Sequence, residues 1–148
     1  AVPEDFPIGV RLSATDWMDD VVSWDVESSI GLSKALEQLG AVYIHVSSGG
    51  LHVEQKLDIH AGFQVPFAEA IKKAVNIPVI AVGLITEAMQ AEGILQYEQA
   101  DAIGIARAIL YDPRWPWHAA AELGETVCIT PQYLRCQPHG LSGLFQAF

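Results

Sequence analysis

The sequence predicts an α/β fold built from parallel strands, and three observations carry that prediction. Four short apolar runs rich in Val and Ile recur along the chain, and each is too short for a helix. Amphipathic stretches with helical spacing of their apolar residues lie between them. Because strands and helices alternate, neighbouring strands pair in parallel through right-handed crossovers. Two architectures fit four such units: an open doubly wound sheet, or half of a TIM (βα)8 barrel.

The first two units each combine one apolar run with one amphipathic stretch. A strand is predicted at 8–13 (IGVRLS), followed by a helix at 26–39 that ends at Gly40, a C-terminal cap signal. A second strand is predicted at 41–47 (AVYIHVS), followed by a helix at 67–75. The β-branched residues of the two runs favour strands over buried helix segments.

The third and fourth units repeat the pattern, with a small residue at each strand end. The strand at 77–83 (IPVIAVG) precedes a helix at 87–97, for which Thr86 is the predicted N-cap. The strand at 101–106 (DAIGIA) runs directly into a helical turn at 108–110. Both strand ends therefore lie next to the beginning of a helix.

The last helix is predicted at 114–123 and ends at Gly124. We therefore expect two parts, a βα domain over residues 1–125 and a C-terminal tail over residues 126–148. Length agrees with this division, since 148 residues correspond to about one domain, and 51% of them are apolar.

Composition excludes several classes of partner. The 18 acidic and 8 basic residues give a formal charge of −10, which repels nucleic acid and anionic membrane surfaces. No apolar run approaches the roughly 20 residues that span a bilayer, and the first residues lack the pattern of a secretory signal. We expect a soluble, cytoplasmic protein in which Cys128 and Cys136 are free thiols.

Polar and glycine residues collect where the four predicted strands end. In parallel α/β proteins the functional residues gather at the carboxyl ends of the strands, because those ends meet at one edge of the sheet. We therefore expect one shared site. Its candidate residues are Arg11, Ser47, Ser48, Gly49, Gly83 and Arg107.

Two consecutive strand ends have the features of a phosphate site. Gly83 lets a ligand approach the backbone next to a helix N-terminus, where amide N–H groups are free. Arg107 adds a forked pair of donors that suits the oxygens of a phosphate. In the alternative reading, Gly83 is an ordinary loop glycine and Arg107 forms a surface ion pair with Asp112.

Arg11 lies inside an apolar strand, where a buried guanidinium requires acceptors. One candidate acceptor is a carboxylate of the core, such as Asp16. The other is a planar ligand that carries negative charge on one edge, and a reduced flavin is such a ligand.

The motifs of the chain, in their order and spacing, resemble the C-terminal half of the Old Yellow Enzyme family. They are most similar to its bacterial NADPH-dependent ene-reductases, the thermophilic-like or xenobiotic-reductase-like branch, and they span residues 7–135. The ordered set is specific, whereas one fragment alone is not. The motifs are VRLSATDW, YIHVSSGG, FQVPFAEAI, IPVIAVGLIT, ADAIGIARAILYDPRWP and PQYLR.

The resemblance implies an FMN-binding (βα)8 barrel in which this chain supplies strands five to eight with their helices. Arg11 would contact the pyrimidine edge of the flavin and stabilise negative charge on the reduced ring. Gly83 and Leu84 would lie beside the phosphate and the flavin edge. The Ala106 amide and Arg107 would hold the phosphate.

The resemblance also implies a reaction and a role for a second subunit. Hydride passes from NADPH (or NADH) to FMN and then to the β-carbon of an activated alkene such as an α,β-unsaturated carbonyl compound, while the α-carbon takes a proton. In this branch an arginine of the C-terminal segment reaches the active site of the neighbouring subunit. Arg135 occupies that place, so we expect a homo-oligomer.

Several residues of the family's active site have no match in this chain. The pair of substrate-activating side chains and the proton-donating tyrosine belong to the family's N-terminal half. His45 lies within a predicted strand, so we expect a satisfied interior residue rather than a substrate clamp. The remaining histidines show no metal-ligand spacing; they are His52, His60, His118 and His139.

An isolated half barrel exposes two unpaired sheet edges and an apolar interior. We therefore expect a partner: a separate or cleaved N-terminal half barrel, or a second copy of the chain. Two other functions stay open. One is a flavin- or phosphate-binding half barrel without catalysis of its own. The other is a sugar-phosphate isomerase or aldolase, which ranks last because every lysine falls on a predicted helix or loop.

Overall fold

Four consecutive βα units and a small C-terminal sheet make up the chain. The computed structural model describes residues 3, 5–18 and 20–148, so residues 1, 2, 4 and 19 of the predicted βα domain lie outside the described part. The elements are β1 Val10–Ser13, α1 Val26–Gln38, β2 Ile44–Ser47, α2 Val65–Lys72, β3 Val79–Ala81, α3 Ala88–Gln96, β4 Ala102–Ile103, α4 Arg107–Tyr111, α5 Trp115–Leu123, β5 Val127–Ile129, a 3-10 helix Pro131–Cys136 and β6 Phe145–Ala147.

The main sheet contains β1, β2, β3 and β4 in that spatial order, and every pair is parallel. A doubly wound sheet reverses its strand order at a switch point, whereas successive strands of a (βα)8 barrel lie side by side. The order found here is the barrel order. The α/β prediction is confirmed, and the four units form half of a TIM barrel.

The helix-covered face of the main sheet forms the core. Leu12, Ile44, Val46, Val79 and Ala81 alternate along the strands, and all of them are buried. Side chains from α2 and α3 complete this core against the sheet. The alternation is that of strands with one apolar face, and it places the intervening residues on the opposite face.

The opposite, open face of the sheet carries polar side chains. Arg11 pairs in register with His45, and Ser13 pairs with Ser47. The next strand contributes Ile80, which is the partner of His45 on β3. All five side chains are partly or largely accessible, unlike their neighbours on the helix-covered face. In a closed barrel this face would line the interior.

The predicted ends of the helices are largely confirmed. Helix α1 is followed by Gly40 at φ +93°, and α5 ends at Gly124 at φ +73°, so both glycines have the left-handed conformation expected of a C-terminal stop. The prediction of Thr86 as the N-cap of α3 is wrong. Glu87 takes that position with extended backbone, and the Thr86 hydroxyl donates to the Glu87 carboxylate at 3.0 Å.

The four predicted strands all form, but each is shorter than its apolar run. Hydrogen bonds between strands form only where two neighbouring strands are both extended. The outer residues of each apolar run therefore remain in loops. Asp101, just before β4, accepts hydrogen bonds from the Val79 amide at 2.8 Å and from Lys72 Nζ at 2.6 Å. This carboxylate ties β3, β4 and α2 together.

The C-terminal tail forms a structure that the sequence did not predict. Strands β5 and β6 pair in parallel, and Ile129, Leu144 and Phe145 are buried against α5. The ring of Trp117 on α5 lies 4.9 Å from that of Phe145. Cys128 and Cys136 are free and exposed, as predicted. Within the described residues, no helix has the length and apolar character needed to cross a bilayer.

Candidate functional site

A cavity of about 330 Å³ opens at the carboxyl ends of the four main strands. Five of the six residues predicted to share a site line it, and Gly49 does not. Residues from all four βα units meet here. They include Arg11 from β1; His45, Ser47 and Ser48 from β2 and its loop; Gln64 before α2; Gly83 and Leu84 after β3; and Gly104, Ala106 and Arg107 after β4.

The charge of the cavity is opposite to that of the chain. Its lining contains two arginines and no Asp or Glu, although the chain carries a net charge of −10. The lysines Lys56, Lys72 and Lys73 form ion pairs with carboxylates. Among the described residues, no carboxylate forms an ion pair with Arg11 or Arg107. Cationic side chains left without protein counter-ions favour an anionic ligand.

Arg11 is exposed to the cavity, so the prediction of a buried guanidinium is wrong. The open face of a half barrel has no opposite wall, and a strand residue on that face remains accessible. Arg11 Nη2 donates to Ser47 Oγ at 3.0 Å, and Nη1 donates to His45 Nε2 at 3.4 Å. Asp16 is not its partner, because Asp16 Oδ2 accepts from the Trp24 amide at 2.9 Å. The remaining guanidinium N–H groups are available to a ligand.

His45 is held as a neutral acceptor beside Arg11. Burial, and then the positive charge of Arg11, lower the pKa of His45 from its ordinary value of 6.5. Both causes disfavour the imidazolium form, since burial removes water and Arg11 repels a second positive charge. His45 is therefore bonded to a neighbouring strand, as expected of a residue on the inner face.

The turn after β3 has a constrained backbone. Gly83 has φ +119°, and Leu84 follows at φ +51°, which is an uncommon conformation for a residue with a side chain. A Cβ on Gly83 would lie 2.9 Å from Gln64 Nε2 and 3.1 Å from Gln64 Cβ. The missing side chain thus makes room for Gln64. Whether Gly83 also admits a ligand stays a prediction.

Gln64 is the residue of the site that sequence reasoning missed. Only 5% of it is exposed, and its Oε1 accepts a hydrogen bond from Ser48 Oγ at 2.7 Å. Nothing in the sequence distinguishes this glutamine from a loop residue, because its place is set by the fold. It packs against Gly83 and forms one wall of the cavity.

Ala106 and Arg107 lie at the beginning of α4, where β4 turns into a helix. The first N–H groups of a helix have no partner within it. Arg107 lines the cavity and does not pair with Asp112, as the alternative reading required. The Asp112 carboxylate instead contacts His118 Nδ1 at 2.6 Å and accepts from the Arg114 amide at 3.0 Å.

Arg135 lies outside the cavity, on the exposed surface of the 3-10 helix. The ring of Tyr133 in the same helix lies 4.7 Å from the guanidinium of Arg114 and makes an edge-to-face contact with Trp117. These contacts fix the 3-10 helix on α5. The predicted role of Arg135 in the active site of a neighbouring subunit stays a prediction.

The lysines do not supply a Schiff-base or general-base site. Lys34 and Lys72 lie on helices, Lys56 lies in a loop, Lys73 follows α2, and none lines the cavity. This placement disfavours the sugar-phosphate isomerase or aldolase reading. Within the residues that the structure describes, no cluster of three or more His, Cys, Asp or Glu side chains is arranged to hold a metal ion.

A half barrel with a cationic cavity at the carboxyl ends of its strands defines the class: a TIM-barrel protein whose cavity suits an anionic ligand. The particular family follows from comparison. The model of the NADH:flavin oxidoreductase / NADH oxidase family matches residues 1–125, and the chain belongs to that family. The resemblance to Old Yellow Enzymes is thereby confirmed. FMN and NADPH or NADH, the predicted cofactors, are those of the family.

Curated relatives agree with this assignment. The NADPH dehydrogenase of Geobacillus sp. (strain WCH70) is 42% identical over 131 residues, and that of Halalkalibacterium halodurans is 43% identical over 131 residues. Each alignment covers 88% of this chain but 38% of the relative, so the chain spans well under half of their length. Among solved structures, wild-type GGGPS from Thermoplasma volcanium shares 20% identity over 68% of this chain and 37% of its own, with a TM-score of 0.47.

Proposed function

We propose that this chain supplies the phosphate and pyrimidine contacts of FMN in an FMN-dependent NADPH oxidoreductase. The proposed reaction is reduction of the activated C=C bond of α,β-unsaturated carbonyl compounds. The observation that carries the proposal is the cavity itself: two arginines that no carboxylate of the described residues pairs with face one space in a chain of charge −10. Family membership supports the choice of FMN as the anion.

The residues present fit FMN. A phosphate requires cationic and N–H donors, and a flavin ring requires a donor at its pyrimidine edge. Arg107 and the Ala106 amide would hold the phosphate, with Gly83 and Leu84 beside it. Arg11 would face the pyrimidine edge with the guanidinium N–H groups that Ser47 and His45 leave free.

When bound, FMN supplies the hydride chemistry of the family, accepting hydride from NADPH and delivering it to the β-carbon of the alkene. This chain's own part is electrostatic. The permanent charge of Arg11 lies where it stabilises negative charge at the ligand edge it faces, and such preorganised charge lowers a barrier without reorganisation. Arg107 retains the cofactor through the phosphate. Neither arginine moves a proton, because guanidinium stays protonated.

The proton for the α-carbon has no donor in this chain's cavity. The lining of the described cavity contains no Tyr, Cys, Asp or Glu, and its histidine is bonded to Arg11. We therefore propose that a complementing N-terminal half barrel supplies the acid and the substrate clamp. It would pair with the outer edges of β1 and β4, cover the open face of the sheet, and leave Arg135 to reach a neighbouring subunit in a cytoplasmic homo-oligomer.

The lack of a proton donor in the described cavity lining also favours a second candidate function, which applies to the chain when it is alone. A half barrel that holds FMN but lacks an acid is a flavin-binding module. A second copy of the chain would cover the open face in that case, and no alkene would be reduced. The two candidates differ in whether activity appears on complementation.

The first experiment measures FMN affinity by quenching of flavin fluorescence. Arg107→Ala removes a charge-assisted contact and is expected to weaken FMN binding roughly 10- to 100-fold, with unchanged far-UV circular dichroism. Arg114→Ala removes the same charge outside the cavity, where it lies over Trp117 and Tyr133, and is the matched control. Equal FMN affinity in wild type and Arg107→Ala would refute the phosphate assignment.

The second experiment follows NADPH oxidation with 2-cyclohexenone as substrate. The chain is assayed alone and after refolding with the N-terminal part of the Geobacillus relative, the part that this chain does not match. We expect activity only in the mixture. If FMN binds but neither sample oxidises NADPH in response to the enone, the binding module is the correct function.

A further inference from the structure

His45 and Ser47 together hold one side of the Arg11 guanidinium. Arg11 and His45 are register partners on adjacent parallel strands, and Ser47 lies one step further along the same face. Each terminal nitrogen of the guanidinium donates to one of these two side chains, at 3.4 Å and 3.0 Å. The guanidinium is therefore held from the β2 side, and three of its five N–H groups take no partner from His45 or Ser47.

The contact with His45 exists in one protonation state only. A guanidinium has donors and no acceptor, so His45 Nε2 must present its lone pair to Arg11. The ring proton then lies on Nδ1, and the ring is neutral. A protonated His45 would present no lone pair to Arg11, and its positive charge would repel the guanidinium. The Arg11 side chain would then be free to change rotamer.

The glycine that follows β4 leaves space for the His45 imidazole. Gly104 follows β4, and a Cβ there would lie 3.3 Å from His45 Nε2 and 2.7 Å from Val82 Cγ1. A side chain at position 104 would thus push on both residues. The glycine allows His45 Nε2 to remain at the cavity wall, within reach of Arg11.

We propose that His45 is a positioning residue: by accepting a hydrogen bond in its neutral form, it aims the free N–H groups of Arg11 at the ligand. The proposal rests on the proposed function, in which Arg11 faces the pyrimidine edge of FMN. It adds a residue that acts on the ligand through Arg11, by setting the direction of its free N–H groups.

Within the part of the chain that the structure describes, one charged side chain faces His45. Arg11 faces it from β1, the apolar Ile80 is its register partner on β3, and Gly104 approaches it from β4. Among the described residues, Arg11 is the charged group whose Coulombic interaction bears on this imidazole, and burial lowers the pKa of His45 in the same direction. Removal of Arg11 should therefore shift the His45 titration upward while burial still holds it below 6.5.

The test of the contact is the NMR titration of His45 in the 148-residue chain, with its signal assigned from its loss in His45→Gln. The midpoint in wild type is expected below 6.5. In Arg11→Met it is expected to rise toward 6.5 without reaching it, while the control Arg107→Met leaves it in place. An unchanged midpoint in Arg11→Met would overturn the proposal.

The test of positioning is FMN affinity at pH 8, where His45 is neutral. His45→Leu removes the acceptor and is expected to weaken FMN binding about tenfold, whereas His45→Gln keeps an acceptor and loses less than about threefold. A purely structural role would not be rescued by Gln, so equal affinities of the two variants would also overturn the proposal.

The two experiments separate this inference from the function beneath it. If wild type binds no FMN, the proposed function fails, and the His45 midpoint in Arg11→Met still decides whether His45 holds Arg11. If circular dichroism shows that His45→Leu does not fold, the midpoint of the His45 titration in Arg11→Met decides whether His45 holds Arg11. If wild type binds FMN and the midpoint is unmoved, only the role of His45 is refuted.

Discussion

The two faces of the main sheet have opposite character although they share the same strands. On the helix-covered face Ile44, Val46, Val79 and Ala81 are completely buried. On the open face of the same sheet, Arg11 of β1 is exposed and joins the other strand-end polar groups around the cavity.

The difference teaches which residues hold the fold and which serve the site. Strand side chains alternate between faces, so neighbouring residues in the sequence have different physical roles. Parallel sheets are ordinarily covered on both faces. The open face with its polar groups is therefore where the proposed ligand and the proposed partner would bind. Substitutions on the two faces should therefore have separable effects, on stability and on binding respectively.

The largest expected effect is a difference in the free energy of unfolding between alanine substitutions of two isoleucines. They lie on adjacent strands, one on each face of the sheet. Ile44→Ala leaves a cavity in the core and is expected to lower the free energy of unfolding by about 2–5 kcal/mol. Ile80→Ala, on the partly accessible open face, is expected to cost about 1 kcal/mol or less. Urea unfolding followed by circular dichroism measures both. Equal costs would mean that the open face is covered in solution.

Most of the fold follows from the sequence, because alternating Val and Ile residues and glycine stops are local signals. The strands, the ends of α1 and α5, and the strand-end position of Arg107 were all predicted from them. The sequential strand order was predicted through the resemblance to a barrel family, since local signals carry no information on contacts between distant segments. The parallel pairing of β5 with β6 was missed, because strands of three residues carry no periodic pattern.

The candidate site was predicted less completely than the fold. Gln64 was missed because its burial comes from Gly83 and Ser48, which approach it from other units. Arg11 was expected to be buried because its neighbours in sequence are apolar, and it is exposed because the opposite wall of the barrel is not part of this chain. Sequence reasoning located polar residues at the strand ends but not the surroundings of each side chain, because those surroundings depend on the assembled fold.

A smaller effect is expected where the open face meets the loop after β4. Gly104→Ala places a Cβ 2.7 Å from Val82 Cγ1 and 3.3 Å from His45 Nε2, and this overpacking should cost about 1–3 kcal/mol. Gly93→Ala is the matched control, since a Cβ there meets nothing within 4 Å inside α3 and should stabilise by about 0.5–1 kcal/mol. Thermal unfolding of both variants checks this. A Gly104→Ala variant as stable as Gly93→Ala would show that Val82 and His45 move aside at little cost in free energy.

The hydrogen bond between Ser48 and Gln64 should contribute less. Ser48→Ala removes the donor to Gln64 Oε1 and is expected to lower the free energy of unfolding by about 1 kcal/mol. Ser142→Ala, at an exposed position of the tail, is the control and should change little. Urea unfolding resolves the difference. If Ser48→Ala costs nothing, Gln64 keeps its place through packing against Gly83 alone.

The smallest effect is a pH dependence that belongs to the open face. The pKa of His45 is lowered in the folded chain by burial and by Arg11, so below pH 6.5 the unfolded chain binds this proton more readily than the folded one. The contribution of His45 to stability is thus fully present above pH 6.5 and is lost as the pH falls through the lowered folded pKa. Partial exposure of the ring keeps the effect small, because water screens the charge.

His45→Gln removes this one titration and should flatten the decline in unfolding free energy below pH 6.5, as measured by urea unfolding at a series of pH values. Because all other titrating groups are common to wild type and His45→Gln, the difference in slope isolates His45. Parallel curves for wild type and His45→Gln would mean that the open face gives this imidazole the same surroundings as the unfolded chain, and the contrast between the two faces would then be one of packing alone.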